Sequence, residues 1–128
     1  MFSPPLKVLV VDDEPLVLCI LTRILKNAGY QVYPANSSSE ALGILVHTPS
    51  LDAVILDRAM PEMDGEELAK TIRAGSPTVP IIMVSGNPDA ITHLHQLDAT
   101  LAKPFHPSEL LNCLKRVLHT LSKPQVVS

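Results

Sequence analysis

The stretch LKVLVVDDE at residues 6–14 is a short apolar run, rich in β-branched side chains, that stops on three acids. A run of this length without polar alternation is how a strand covered on both faces reads. Two further runs share the pattern: AVIL at 53–56 halts on Asp57, and IIMV at 81–84 halts on Ser85. Weaker strand candidates occupy Gln31–Pro34 and Thr100–Ala102, the latter ending just before Lys103. Between these runs the apolar period lengthens to three and four residues, which predicts helices over Glu14–Ala28, Ser37–Val46, Glu66–Ala74, Asp89–Leu97 and Ser108–Leu121. Gly29 stands where a left-handed C-cap is wanted, and Ser37 followed by Glu40 has capping-box spacing. Five strands alternating with five helices describe an α/β domain with a parallel sheet and right-handed crossovers. Such sheets carry their ligand chemistry at the carboxyl ends of the strands, so the residues on which the runs stop are the ones to read.

Length and composition bound what that chemistry can be. With 128 residues, 46% of them hydrophobic and 18% charged, the chain forms one domain with a core large enough to fold without staples. Ten Lys and Arg against thirteen Asp and Glu, with no basic run, argue against direct binding of nucleic acid. Cys19 and Cys113 each sit in an apolar periodic segment, which suits reduced, buried thiols better than a disulfide or a zinc site. The apolar runs are too short for a membrane span and the first residues lack the build of a signal peptide, so a cytoplasmic protein is expected. Residues 122–128 read as a frayed tail or the start of a linker, leaving 1–121 as the domain.

Asp12, Asp13 and Asp57 would converge on one rim of the sheet. Like charges held close repel and raise one another's pKa, a conflict that a hard cation such as Mg²⁺ resolves by taking carboxylate oxygens, waters and a phosphate oxygen as ligands. The competing reading is solvated loop acids, common in turns. Ser85 and Lys103 at the same rim add a hydroxyl and a point charge, the parts needed to hold phosphoryl oxygens.

On these residues the chain resembles a CheY-like response-regulator receiver domain of two-component phosphorelay signalling. The resemblance covers Leu6 to Leu121 and rests on Asp12-Asp13-Glu14 after the first strand, Asp57 with Met60-Pro61 and Met63-Asp64-Gly65 following, Ser85-Gly86 after the fourth, and Lys103-Pro104-Phe105 after the fifth. It implies a flavodoxin-like, doubly wound (βα)5 fold with strand order 2-1-3-4-5 and five helices on both faces. It implies that Asp57 accepts a phosphoryl group from a sensor histidine kinase or a histidine phosphotransfer protein. Asp12, Asp13, Asp57 and the main-chain carbonyl of Ala59 would hold Mg²⁺, while Ser85, Gly86, Lys103 and Ala59 would surround the phosphoryl group. The Lys103–Pro104 bond would be cis, and kinase specificity would lie near Leu16–Ile20 and in the loop after the fifth strand. Such a protein catalyses only its own phosphorylation and dephosphorylation, and switches a partner or attached output domain.

Two departures from the family pattern bear on output. The switch pair of Ser85 and a ring three residues before the lysine becomes Ser85 and Thr100, and a threonine cannot sweep a ring between buried and exposed positions. Ala59, two after the acceptor, offers no polar group to place a water, which implies modest intrinsic dephosphorylation. The stretch from Pro88 to Ala102 carries Asp89 and Asp98 as its charged residues, with His93 and His95 read as ordinary exposed histidines, so a monomer or weak dimer is expected. Leu16, Leu18 and Leu111 exceed one buried stripe, with core burial the favoured explanation over a partner surface. Two rival functions are a pseudo-receiver that never takes phosphate and an aspartyl-phosphate phosphohydrolase; the second wants an acid where Ala59 stands.

Overall fold

The structure, a computed structural model, describes residues 4–91 and 96–122. Five parallel strands, β1 (Lys7–Val11), β2 (Gln31–Ala35), β3 (Ala53–Asp57), β4 (Ile81–Ser85) and β5 (Ala99–Ala102), form one sheet in the order β2-β1-β3-β4-β5. Four α-helices lie among the described residues: α1 (Pro15–Asn27), α2 (Ser38–His47), α3 (Gly65–Gly75) and α4 (Pro107–Ser122).

Side-chain alternation along the central strands divides the core into two layers. Val8, Val10, Ala53, Ile55, Ile82 and Val84 point to one face, where Leu21 and Leu25 of α1 and Leu110, Cys113, Leu114 and Val117 of α4 cover them. Leu9, Val11, Val54, Leu56, Ile81 and Met83 point to the other, beneath Ala41 of α2 and Leu68, Ala69 and Ile72 of α3. The near-continuous apolar character of β1, β3 and β4 follows from this double cover. The edge strands β2 and β5 are half exposed, hence their weaker signal.

Local chemistry fixes the element ends. Gly29 has φ +99°, the left-handed conformation expected past α1. Ser37 Oγ accepts the Glu40 N–H at 3.1 Å, while the Glu40 carboxylate reaches one residue further back than a strict capping box, to the Asn36 N–H at 2.8 Å.

Three expectations are corrected. The helix foreseen over Asp89–Leu97 is replaced at its start by a 3₁₀ turn, Pro88–Ala90, and residues 92–95, with His93 and His95, lie outside the described residues. Ile91 follows that turn with extended backbone and buries its side chain against the α3 layer, so core insertion wins over helical spacing there. Cys19 is exposed, whereas Cys113 is buried as expected. Leu16 is 80% exposed rather than in the core, as is Ile20 at 58%, because one face of α1 points away from the sheet; Leu18 and Leu111 do pack at the core margin.

Candidate functional site

The carboxyl ends of β1, β3, β4 and β5 gather the residues singled out in the sequence. Asp12 follows directly on β1, its N–H bonded to the Ala35 carbonyl across the sheet at 3.1 Å. Asp57 and Ser85 are the last residues of β3 and β4. Lys103 follows β5, its N–H bonded to the Ser85 carbonyl at 2.9 Å, and the Lys103–Pro104 peptide is cis. Because the strands are parallel and in register, these residues reach one rim.

The acids converge. Asp12, Asp13 and Asp57 each offer a carboxylate oxygen within 4.8 Å of the other two, the one such group among the described residues. Asp12 is 1% exposed and Asp57 5%, so two of the three charges are withdrawn from water. Burial pushes the Asp12 carboxyl above its ordinary value; the Glu14 N–H donated to Asp12 Oδ1 at 2.9 Å opposes this, the Asp57 charge adds to it, Lys103 opposes it, and Asp13 adds again. Three clustered hard oxygen donors, two of them buried, fit a small divalent cation in chemistry and in spacing.

Lys103 Nζ donates to Asp57 Oδ1 at 3.1 Å, bringing the expected cation to the expected acceptor. Ser85 is buried, and its Oγ accepts the Asn87 N–H at 3.0 Å. Gly86, directly after β4, and Ala59, two residues after β3, are both exposed. Thr100 is exposed on β5, in register with Met83, so it shares a sheet face with Ser85 two residues along β4.

The loop after Asp57 is held by contacts the sequence reading did not anticipate. The Arg58 N–H bonds to the Val84 carbonyl at 3.0 Å, and the Arg58 carbonyl accepts the Gly65 N–H at 2.7 Å. This approach is so close that only glycine fits: a Cβ on Gly65 would lie 2.5 Å from the Asp57 carbonyl oxygen. Asp64 caps α3 by accepting the Glu67 N–H at 2.8 Å, a cap that Asp64 followed by Glu67 makes readable in the sequence. Arg58 pairs with Glu66 at 3.3 Å, and its other guanidinium arm reaches the Ala90 carbonyl at 3.3 Å. Neither contact has a short-range sequence signal, since Ala90 is 32 residues away.

Comparison with known proteins agrees with this geometry. The family model described as response regulator receiver domain matches residues 8–115. The probable transcriptional regulator ycf27 of Guillardia theta is 40% identical over 121 residues, covering 91% of this chain and 47% of that protein. The alkaline phosphatase synthesis transcriptional regulatory protein PhoP of Bacillus subtilis is 33% identical over 116 residues, covering 88% and 48%. The chain thus spans about half the length of the curated relatives it matches. Among solved structures, a response regulator receiver domain protein of Clostridium thermocellum superposes with a TM-score of 0.85 at 27% identity, over 91% of this chain and 97% of that one. The response regulator TrrA of Thermotoga maritima, solved in complex with Mg²⁺ and BeF, gives 0.80 at 30% identity, over 88% and 98%. Strand order, rim chemistry and sequence similarity coincide over nearly the whole described chain, and the chain belongs to the response regulator receiver domain family, whose general function is phosphorylation on an aspartate.

Proposed function

We propose that this chain is a working phosphoacceptor, with Asp57 as the aspartate that takes the phosphoryl group. The observation that carries the reading is the ion pair of Asp57 with Lys103 inside the three-acid cluster. An Asp57 carboxylate oxygen forms the new O–P bond as the P–N bond of a donor phosphohistidine, or the P–O bond of a small acyl phosphate, breaks. Transfer of this kind depends on in-line positioning and on neutralising charge at the equatorial oxygens. Lys103 supplies one positive charge beside Asp57, and Ser85 a hydroxyl donor. Asp12, Asp13, Asp57 and the Ala59 carbonyl would hold Mg²⁺, which when bound supplies Lewis-acid neutralisation of the phosphoryl oxygens. The chain then acts as its own catalyst for gaining and losing the group and is not an enzyme toward other substrates. TrrA, a similar protein solved with Mg²⁺ and BeF, supports the assignment.

The donor is a sensor histidine kinase or a histidine phosphotransfer protein. Exposed Leu16 and Ile20, and a groove of about 680 Å³ lined by Ile20, Ile24, Phe105 and Pro107 beside Lys103, support docking of an apolar helix face there. Residues 1–121 form the receiver unit, 122–128 its tail or the start of a linker, and a partner or attached output region reads its state. With a threonine at position 100, the output does not run through an aromatic ring there.

Intact mass after incubation with acetyl phosphate tests this. The expected result is a single phosphoryl adduct that needs Mg²⁺ and is abolished in Asp57→Asn. Absence of an adduct from folded protein would favour the pseudo-receiver reading.

A further inference from the structure

Two arginines fasten the connection between β4 and β5 to the α3 side of the domain. Arg73, near the end of α3, donates to the Gln96 carbonyl at 2.8 Å and to Asp98 at 3.0 Å. Arg58, immediately after Asp57, donates through Nε to Glu66 Oε2 and through Nη2 to the Ala90 carbonyl, both at 3.3 Å. The two differ in what lies behind them. Arg73 ties down the far end of the connection, whereas the backbone of Arg58 is part of the acceptor rim itself, bonded to Val84 on one side and Gly65 on the other. The guanidinium is therefore a direct mechanical link between the acceptor loop and the 3₁₀ turn Pro88–Ala90.

That turn is joined at its other end to Ser85. Ser85 Oγ accepts the Asn87 N–H, and the Ala90 and Ile91 N–H groups close the turn on the Asn87 and Pro88 carbonyls at 3.1 Å each. A change at the Ser85 hydroxyl thus passes to Asn87 and along the turn to the Ala90 carbonyl.

We propose that Arg58 is a positioning residue whose contact with the Ala90 carbonyl straps the Pro88–Ala90 turn in its resting place and so sets how readily the site takes and keeps a phosphoryl group. The inference rests on the phosphoacceptor reading of Asp57 and Ser85. When the Ser85 hydroxyl turns onto a phosphoryl oxygen, the 85–87 turn shifts with it and the Ala90 carbonyl moves relative to Arg58. At 3.3 Å the contact is already at the long end for an N–H···O bond, so a displacement of a few tenths of an ångström ends it. An interaction present in the resting arrangement and absent in the phosphorylated one weights the equilibrium toward rest by its own strength. The fork is what makes the strap: one arm on Glu66 fixes the guanidinium, leaving the other to hold Ala90. Lysine keeps the charge and cannot make both bonds in that geometry.

The test is a calorimetric titration of the full chain with beryllofluoride in Mg²⁺, comparing wild type, Arg58→Lys and Glu66→Gln, with Mg²⁺ alone titrated in parallel. Arg58→Lys is expected to bind beryllofluoride about three- to tenfold more tightly, while affinity for Mg²⁺ alone stays within about twofold because the charge beside the site is kept. Glu66→Gln, which loosens the same fork from its other end, shifts beryllofluoride affinity in the same direction by less, and serves alone if Arg58→Lys does not fold. Amide exchange at Ala90 and Ile91 is expected to be faster in resting Arg58→Lys than in resting wild type. Unchanged or weaker beryllofluoride binding by the variants, with wild type binding normally, overturns the strap and leaves Asp57 as acceptor. Failure of wild type to bind beryllofluoride overturns both.

Discussion

Gly65→Ala is a one-atom perturbation whose effect can be worked from distances. A Cβ at residue 65 would stand 2.5 Å from the Asp57 carbonyl oxygen and 2.7 Å from Arg58 Cα, where ordinary contact begins near 3.4 Å. Both obstacles are backbone, so no side chain can swing aside. Relieving the shorter contact requires about 0.9 Å of separation, the difference between 3.4 and 2.5 Å. Added to the 2.7 Å bond from the Gly65 N–H to the Arg58 carbonyl, a movement of that size breaks the bond. Overpacking of this kind costs about 1–3 kcal/mol and the lost hydrogen bond about 1 kcal/mol, together about 2–4 kcal/mol. For a domain of this length that lowers Tm by about 6–15 °C. Gly75→Ala at the other end of α3 is the control: nothing lies within 4 Å of its would-be Cβ, so the substitution should be neutral or stabilise by up to about 1 kcal/mol. Thermal melts by circular dichroism read both. A Gly65→Ala protein melting within about 2 °C of wild type, less than 1 kcal/mol on the same scale, would refute the close-approach argument. Because the displaced atoms belong to Asp57 and Arg58, slower phosphoryl acceptance should accompany the lower Tm at temperatures where the variant is folded.

Other consequences follow from the same structure. Ionising Asp12 costs stability because its folded pKa lies above the ordinary 3.8: the penalty is absent below the unfolded value and complete once pH exceeds the folded one. At neutral pH without divalent cation, Asp12→Asn should therefore melt higher than wild type, and Mg²⁺ should raise the Tm of wild type more than that of the variant. A thiol reagent at pH 8 should modify Cys19 in the native protein and reach Cys113 only on unfolding, since Cys113 is buried and burial raises its thiol pKa; peptide mass after alkylation separates the two. Arg73 donates to the Pro77, Val79 and Gln96 carbonyls and to Asp98, so Arg73→Ala should cost about 2 kcal/mol in urea unfolding, with Arg73→Lys recovering only part of it.

What could be read from sequence divides along physical lines. β1, β3 and β4 are buried on both faces, and their unbroken apolar runs announced them. The acids, the serine and the lysine on which the strands stop lie together at one rim because parallel strands in register bring their carboxyl ends to the same edge. The exposed face of α1 is not legible in the sequence, since helical spacing cannot distinguish Leu16 packed in a core from Leu16 lying on a surface. The Asp89–Leu97 segment has helical apolar spacing, yet Ile91 enters the core from extended backbone, a tertiary choice that no local pattern records. Arg58 and Arg73 act through the Ala90 and Gln96 carbonyls, 32 and 23 residues away, and a carbonyl acceptor has no residue type to betray it.

Asp57 is the proposed carrier of the phosphoryl group. Borohydride reduction of protein treated with acetyl phosphate and Mg²⁺ converts an aspartyl phosphate to homoserine, and peptide mass locates the change. The expected result is homoserine at residue 57 alone, lost when Mg²⁺ is chelated and absent from untreated protein. Reduction at Asp12 or Asp13 instead, or none in a protein that folds and binds Mg²⁺, would contradict it.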